Sequence, residues 1–179
     1  MIPNWFVITG GPMTGKTKLV NELAKLGYDT VPEAARNLID QAVEQEISSE
    51  KLRADEKRFQ NDVALFKKDT EKGHDKNVLT FFDRGMQDTL AYLKYYDYEI
   101  EDWILQQAKQ SRYRKVFLLE SVGDYSKDYA RTEDETFTKL IRPLLIQAYS
   151  DYGMEPIIVP NIGLERRVKF ILDNINSNK

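Results

Sequence analysis

Eight residues constrain this chain more than any others. Gly10-Gly11-Pro12-Met13-Thr14-Gly15-Lys16-Thr17 fit the pattern G-x-x-x-x-G-K-[ST]. Gly10 and Gly15 permit backbone angles closed to residues with a Cβ. Successive N–H groups can then turn inward and form a concave cradle for phosphate oxygens. In such a cradle Lys16 reaches the β- and γ-phosphates and the Thr17 hydroxyl is a ligand for Mg²⁺. The flanks agree. Trp5-Phe6-Val7-Ile8-Thr9 reads as a short buried strand, and Leu19, Val20, Leu23, Ala24 and Leu26 fall at helical spacing. The order strand, glycine-rich loop, helix lets the helix N-terminus add its positive dipole end to the anion site.

The rest of the chain repeats the alternation. Gly27 stops the first helix, and Tyr28 to Pro32 reads as a second short strand. Ala35, Leu38, Ile39, Ala42, Val43 and Ile47 predict an amphipathic helix beginning at or just after Glu33. Glu33 and Arg36 then lie in its first turn, at the carboxyl end of the strand. Residues 48–72 predict one long charged helix with a narrow stripe of Leu52, Phe59, Val63 and Phe66, after an N-cap at Ser48-Ser49-Glu50. Its basic and acidic remainder is either a solvated face or a lining of the nucleotide site. Asn77 to Phe82 is a third strand ending in Asp83-Arg84-Gly85, the form of a Walker B strand whose carboxylate emerges beside Mg²⁺. Residues 87–98 hold four tyrosines on a helix, either as core or as a wall for a substrate ring. A further helix surrounds Trp103, Ile104 and Ala108. Lys115 to Leu119 is a fourth strand ending at Glu120. Residues 121–133, with Arg131, read as a polar lid. The stripe from Phe137 to Tyr149 is helical, with a kink or a new start expected at Pro143. Pro156 to Val159 is a fifth strand, and Leu164 to Ile175 a last helix.

Strands alternating with helices require a parallel sheet with helices on both faces, joined by right-handed crossovers. Loops after the strands gather at one sheet edge, so the phosphate loop, Glu33, Asp83-Arg84 and Glu120 are expected to share one cleft. A chain of 179 residues is most simply one domain, 1–179. It has no cysteine, which excludes thiol catalysis, disulfides and Cys-based zinc sites. The net charge of −3 implies no general nucleic-acid surface. The lone His74 is placed in an exposed loop without chemistry. Met1 to Trp5 is unlike a signal peptide, and no apolar run approaches membrane-helix length, so a cytoplasmic protein is expected.

These residues resemble the nucleoside-kinase-like branch of the P-loop kinases. Val31-Pro32-Glu33-Ala34-Ala35-Arg36 is similar to the glutamate motif after the second strand of deoxynucleoside kinases. Asp83-Arg84-Gly85 resembles their Glu-Arg-Ser, or the Asp-Arg of thymidylate kinases, and Phe59-Gln60 the pair that holds a base. The overall run is similar to small bacterial predicted ATPases related to the nicotinamide riboside kinase domain. The resemblance implies a three-layer P-loop NTPase fold whose five-stranded parallel sheet has the order 2-3-1-4-5. It implies ATP or GTP with Mg²⁺ on Thr17 and Asp83, and catalysis by Lys16, Glu33, Asp83, Arg84 and Arg131. Arg36, Gln60 and Arg84 would contact a nucleoside-like acceptor, with the substrate region at 48–72; a homodimer stays open. The departures are Asp83 in place of Glu and one lid arginine in place of a cluster. Two functions follow: a small-molecule kinase, or a partner-regulated ATPase or GTPase. No Asn-Lys-x-Asp motif favours a GTPase proper, and the chain is short for the helical lid domain of an AAA+ motor.

Overall fold

Trp5–Thr9 forms strand β1, and all five of its residues are buried. Its side chains alternate between two cores, Phe6 and Ile8 in one and Trp5 and Val7 in the other. A strand covered on both faces needs no polar side, so it reads as a continuous apolar run. The computed structural model describes residues 2–121 and 135–175. After β1 come α1 (Lys16–Lys25), β2 (Asp29–Val31), α2 (Ala34–Glu44), α3 (Ser49–Leu52) and α4 (Glu56–Gly73). Then follow β3 (Thr80–Asp83), α5 (Met86–Tyr95), α6 (Asp102–Gln110), β4 (Lys115–Leu119), α7 (Glu135–Ser150), β5 (Ile157–Val159) and α8 (Leu164–Ile175).

The five strands form one parallel sheet in the order β2-β3-β1-β4-β5. Ile8 lies opposite Asp83 and Thr9 opposite Leu118, so β1, β3 and β4 end level with one another. Their following loops therefore open onto one edge, where open α/β sheets bind ligands. On one face α1 and α8 bring Leu19, Leu23, Val168 and Ile171 against Phe6, Ile8, Phe81 and Phe117. On the other, α5, α6 and α7 pack Met86, Leu93, Ile104, Ile141 and Leu145 around Leu118. Tyr113 and Tyr149 join Trp5, Val7 and Phe82 on that same side. The result is the expected three-layer arrangement.

Four local expectations are corrected. The helix over 48–72 is two helices, because each has its own N-cap: the Ser48 side chain accepts from Lys51 N, and the Asp55 side chain from Arg58 N. The third strand begins at Thr80, not Asn77, since Asn77 N donates locally to Asp75 Oδ1 at 2.9 Å. Of the two outcomes expected at Pro143, a new helix start is excluded, because α7 runs through it with the proline exposed. His74 is half-buried rather than exposed. As the C-cap of α4, its ring Nε2 bonds Asp29 Oδ2 at 2.8 Å and Thr80 Oγ1 at 2.9 Å, tying α4 to β2 and β3. Among the described residues, no helix is long and apolar enough to cross a membrane.

Candidate active site

The Gly10–Thr17 loop has the geometry its residue types predict. Gly10 has φ +143° and Gly15, the N-cap of α1, φ +87°. A Cβ on Gly10 would lie 2.9 Å from Leu119 O, and one on Gly11 2.7 Å from Thr138 Cγ2, so both positions exclude larger residues. Met13 also takes a left-handed φ of 59°. Lys16 is buried, its Nζ donating to Gly11 O at 2.6 Å and to Thr14 Oγ1 at 3.4 Å. Arg167, which sequence reasoning missed, braces the loop from behind. From α8 its guanidinium donates to Thr14 O at 2.7 Å, Glu120 O at 2.7 Å and Pro160 O at 2.9 Å. No local motif marks it, because all three acceptors are backbone carbonyls.

Asp83, at the end of β3, stands beside the start of α1. Thr17 Oγ1 donates to Asp83 Oδ2 at 3.2 Å, which brings the two expected metal ligands together. Asp83 Oδ1 is buried with no hydrogen-bond partner among the described residues. Burial and the nearby Glu33 carboxylate push the Asp83 carboxyl up to about 6, against the pull of Lys16, Arg84 and the Thr17 hydroxyl. A hydroxyl and an orphaned carboxylate oxygen are the hard donors Mg²⁺ takes, with phosphates and water completing its shell. The residues therefore fit the ion.

Glu33 and Arg84, 51 residues apart, form an ion pair. Arg84 Nε donates to Glu33 Oε1 at 2.7 Å, and Arg84 Nη1 to Gly10 O at 3.0 Å and Asp88 Oδ1 at 3.1 Å. Arg84 thus touches the phosphate loop, the N-cap of α2 and the first turn of α5 at once. Arg84 thereby fixes the position of the Glu33 carboxylate. Asp88, not anticipated, is the buried hub. Its Oδ1 also takes Thr9 Oγ1 at 2.7 Å, and its Oδ2 takes Gly85 N at 3.1 Å and Tyr149 Oη at 2.5 Å. Asp88 follows Arg84 by four residues, but Arg84 lies before the N-cap of α5 with φ +71°. The turn and not a helical spacing brings them together, and no sequence signal marked the pair.

A cleft opens beside this cluster, lined by Pro12, Glu33, Arg36, Phe59, Gln60, Lys67, Arg84, Thr89 and Tyr92 among others. Arg36 and Gln60, expected to contact the acceptor, both line this cleft. Gln60 Nε2 donates to Glu56 Oε1 at 2.8 Å, and the same carboxylate takes Arg53 at 2.9 and 3.0 Å. Of the four tyrosines on and after α5, Tyr92 reaches the cleft, while Tyr95, Tyr96 and Tyr98 pack with Phe137 and the core. Glu120 is not among the cleft's lining: its carbonyl holds Arg167, and its N–H bonds Val159 O at 3.0 Å. Arg131 and, past Ser121, the expected lid lie outside the described residues. Lys67 was unforeseen because it sits in a lysine-rich helix that resembles a solvated face. Yet it follows Gln60 by seven residues on the same helical face and is buried.

The sheet order, the glycine-rich loop and the carboxylate beside it define the P-loop NTPase fold with the strand order expected for its kinase-like branch. The family comparison is narrower still: residues 5–167 match the AAA domain family, and the chain belongs to it. No curated protein matches the sequence. Among solved structures, the NadR protein in complex with NR has TM-score 0.72 and 17% identity. That match covers 99% of this chain but 52% of the NadR chain, so this chain spans about half of it. Deoxyadenosine kinase from M. mycoides has TM-score 0.68 and 14% identity, over 97% of this chain and 100% of that one. Thymidylate kinase from Candida albicans has TM-score 0.68 and 11% identity, over 97% and 91%. At these identities the likeness is one of fold.

Proposed function

We propose that the protein is a phosphotransferase that moves the γ-phosphate of ATP to a hydroxyl of a nucleoside-like molecule. The observation that carries this reading is the position of the cleft. It meets the phosphate loop at Pro12, and Glu33 and Arg84 both line it. Donor and acceptor would meet between them. Phosphoryl transfer asks for positioning and charge neutralisation rather than covalent chemistry by the protein. The loop and Lys16 hold the donor phosphates. Thr17 and Asp83 would hold Mg²⁺, which would supply neutralisation of charge on those phosphates. Glu33 accepts the proton of the acceptor hydroxyl as its oxygen bonds to the γ-phosphorus and the bond to the leaving ADP breaks. Arg84 keeps Glu33 in place through Nε and leaves Nη2 without a bond among the described residues, available to the transferring phosphoryl group. Arg36, Phe59, Gln60 and Tyr92 bound the acceptor. Solved structures of this fold support the reading by what they hold: NR, or NAD and AMP-PNP, in NadR, and dATP or dCTP in deoxyadenosine kinase.

ADP release is to be measured with ATP–Mg²⁺ alone and then with a panel of nucleosides, nucleotides and nicotinamide riboside. Strong stimulation by one compound, with a phosphorylated product by mass, is the expected result. Glu33→Gln lowers kcat by about 10²-fold or more while ADP affinity is kept, and near-full transfer by that variant would rule out the base. Membership of the AAA domain family favours one second reading, an ATPase or GTPase coupled to a protein partner. Hydrolysis that no small acceptor stimulates would select it.

A further inference from the structure

The backbone that carries Arg84 is held by buried side chains on every side. Arg84 has φ +71°, a left-handed conformation that costs a residue with a Cβ about 1–3 kcal/mol. Such a turn persists only where its surroundings over-determine it, and here each N–H from 84 to 86 has a fixed acceptor. Arg84 N donates to Ile8 O at 3.0 Å. Gly85 N donates to Asp88 Oδ2 and Tyr149 Oη, each at 3.1 Å. Met86 N donates to Tyr113 Oη at 2.9 Å, and that hydroxyl in turn donates to Glu71. On the opposite side Lys67 Nζ donates to Gly85 O at 2.8 Å and to Thr89 Oγ1 at 3.0 Å. The clamp also explains the glycine: a Cβ at position 85 would meet Tyr113 Cε2 and Tyr149 Oη, both at 2.7 Å.

We propose that Lys67 and Tyr113 are positioning residues for phosphoryl transfer: by gripping the Arg84–Met86 backbone from two sides they fix where the Arg84 guanidinium meets the phosphoryl group. The inference rests on the role given to Arg84 above. It does not depend on whether the acceptor is a hydroxyl or water. Neither side chain bonds Arg84 itself, so each acts through the turn. Released, the turn relaxes toward negative φ, which swings the Arg84 Cβ and draws the guanidinium from Glu33 and Gly10 O. Lys67 faces Asp88, Arg84, Glu33 and Glu71, and burial lowers its ammonium to about 8. Losing that charge turns two charge-assisted bonds into ordinary ones of roughly half the strength, so the clamp loosens at alkaline pH.

The test compares single-turnover ADP formation from ATP–Mg²⁺ by wild type, Lys67→Met, Arg84→Met, the double variant and Tyr113→Phe. ADP affinity is measured by calorimetry and amide exchange over residues 84–86 by mass spectrometry. Lys67→Met is expected to slow the chemical step by about 100-fold, the cost of a misplacement near 1 Å, with ADP affinity unchanged. The double variant should be no slower than Arg84→Met, since both act on one group. Wild type should lose rate above about pH 8, and Lys67→Met should lack that limb. A wild-type rate in Lys67→Met, or losses that multiply with Arg84→Met, overturns the proposal. Should Lys67→Met not fold, Tyr113→Phe decides by the same criteria. If wild type turns over with neither water nor any acceptor, the function reading falls by itself. Exchange then decides the clamp, faster in the variant supporting it and unchanged overturning it.

Discussion

Asp83 shows how one residue carries both a demand for a cation and a cost without one. Its carboxyl, ordinarily near 3.8, is raised to about 6 by burial first and Glu33 second. A raised folded-state value means the native protein holds a proton the unfolded chain has released. The cost of ionising Asp83 is therefore absent below about pH 4, grows through about pH 6 and is fully present above it. A shift of this size corresponds to a penalty on the order of 3 kcal/mol. Asp83→Asn should thus be more stable than wild type at pH 8, with the advantage vanishing toward pH 4, as thermal melts across that range would show. The same variant should lose the stabilisation that Mg²⁺–ADP gives wild type. Calorimetry in buffers of different ionisation enthalpy should detect proton release when Mg²⁺–ADP binds wild type near pH 6 and none for the variant. The Thr17–Asp83 pair was anticipated through the resemblance to P-loop kinases, which implies a strand order with β3 beside β1, as observed; the strand and helix periodicity alone leaves that order open. The orphaned Oδ1 was not anticipated, since it depends on what else approaches that oxygen.

At the scale of elements, α3 and α4 correct the reading of residues 48–72 as one helix. Two N-caps seven residues apart, Ser48 and Asp55, each satisfy a free amide at the start of a helix. Asp55→Ala should then destabilise the protein by about 1 kcal/mol, measured by urea unfolding. In a single continuous helix the same change would be neutral or stabilising, because Ala is the better interior residue. The break changes which face of α4 matters. Phe59, Gln60, Val63 and Lys67 turn inward and Lys57, Arg58, Asp69 and Lys72 outward or partly so. The apolar stripe was visible in the sequence. Lys67 and Glu71 were hidden in it, because a buried charge announces itself only through partners such as Gly85, Thr89, Ser111 and Tyr113. Strand-end residues were therefore easier to find than helix-borne ones: the loop after a parallel strand has a fixed destination, and a helix face does not.

Across the whole molecule, the phosphate loop is shaped by residues from both ends of the described chain. Arg167 sits 153 positions after Thr14, yet its three bonds join the loop, the end of β4 and the turn before α8. Arg167→Ala leaves three buried or half-buried carbonyls without that donor, so a loss of about 2–4 kcal/mol is expected from guanidinium denaturation. ADP affinity should fall with it, whereas the variant Lys169→Ala, an exposed i,i+4 pair with Asp173, should alter neither. The sheet order states the same dependence in backbone terms, since β1 lies between β3 and β4 and cannot be completed before either is present. Taken together, the bracing of the loop by Arg167 orders events during synthesis. The phosphate cradle leaves the ribosome before α8 and lacks the Arg167 brace until α8 has followed it. A nascent chain arrested before α8 would not retain nucleotide, and ATP would act on the finished protein rather than guide its assembly.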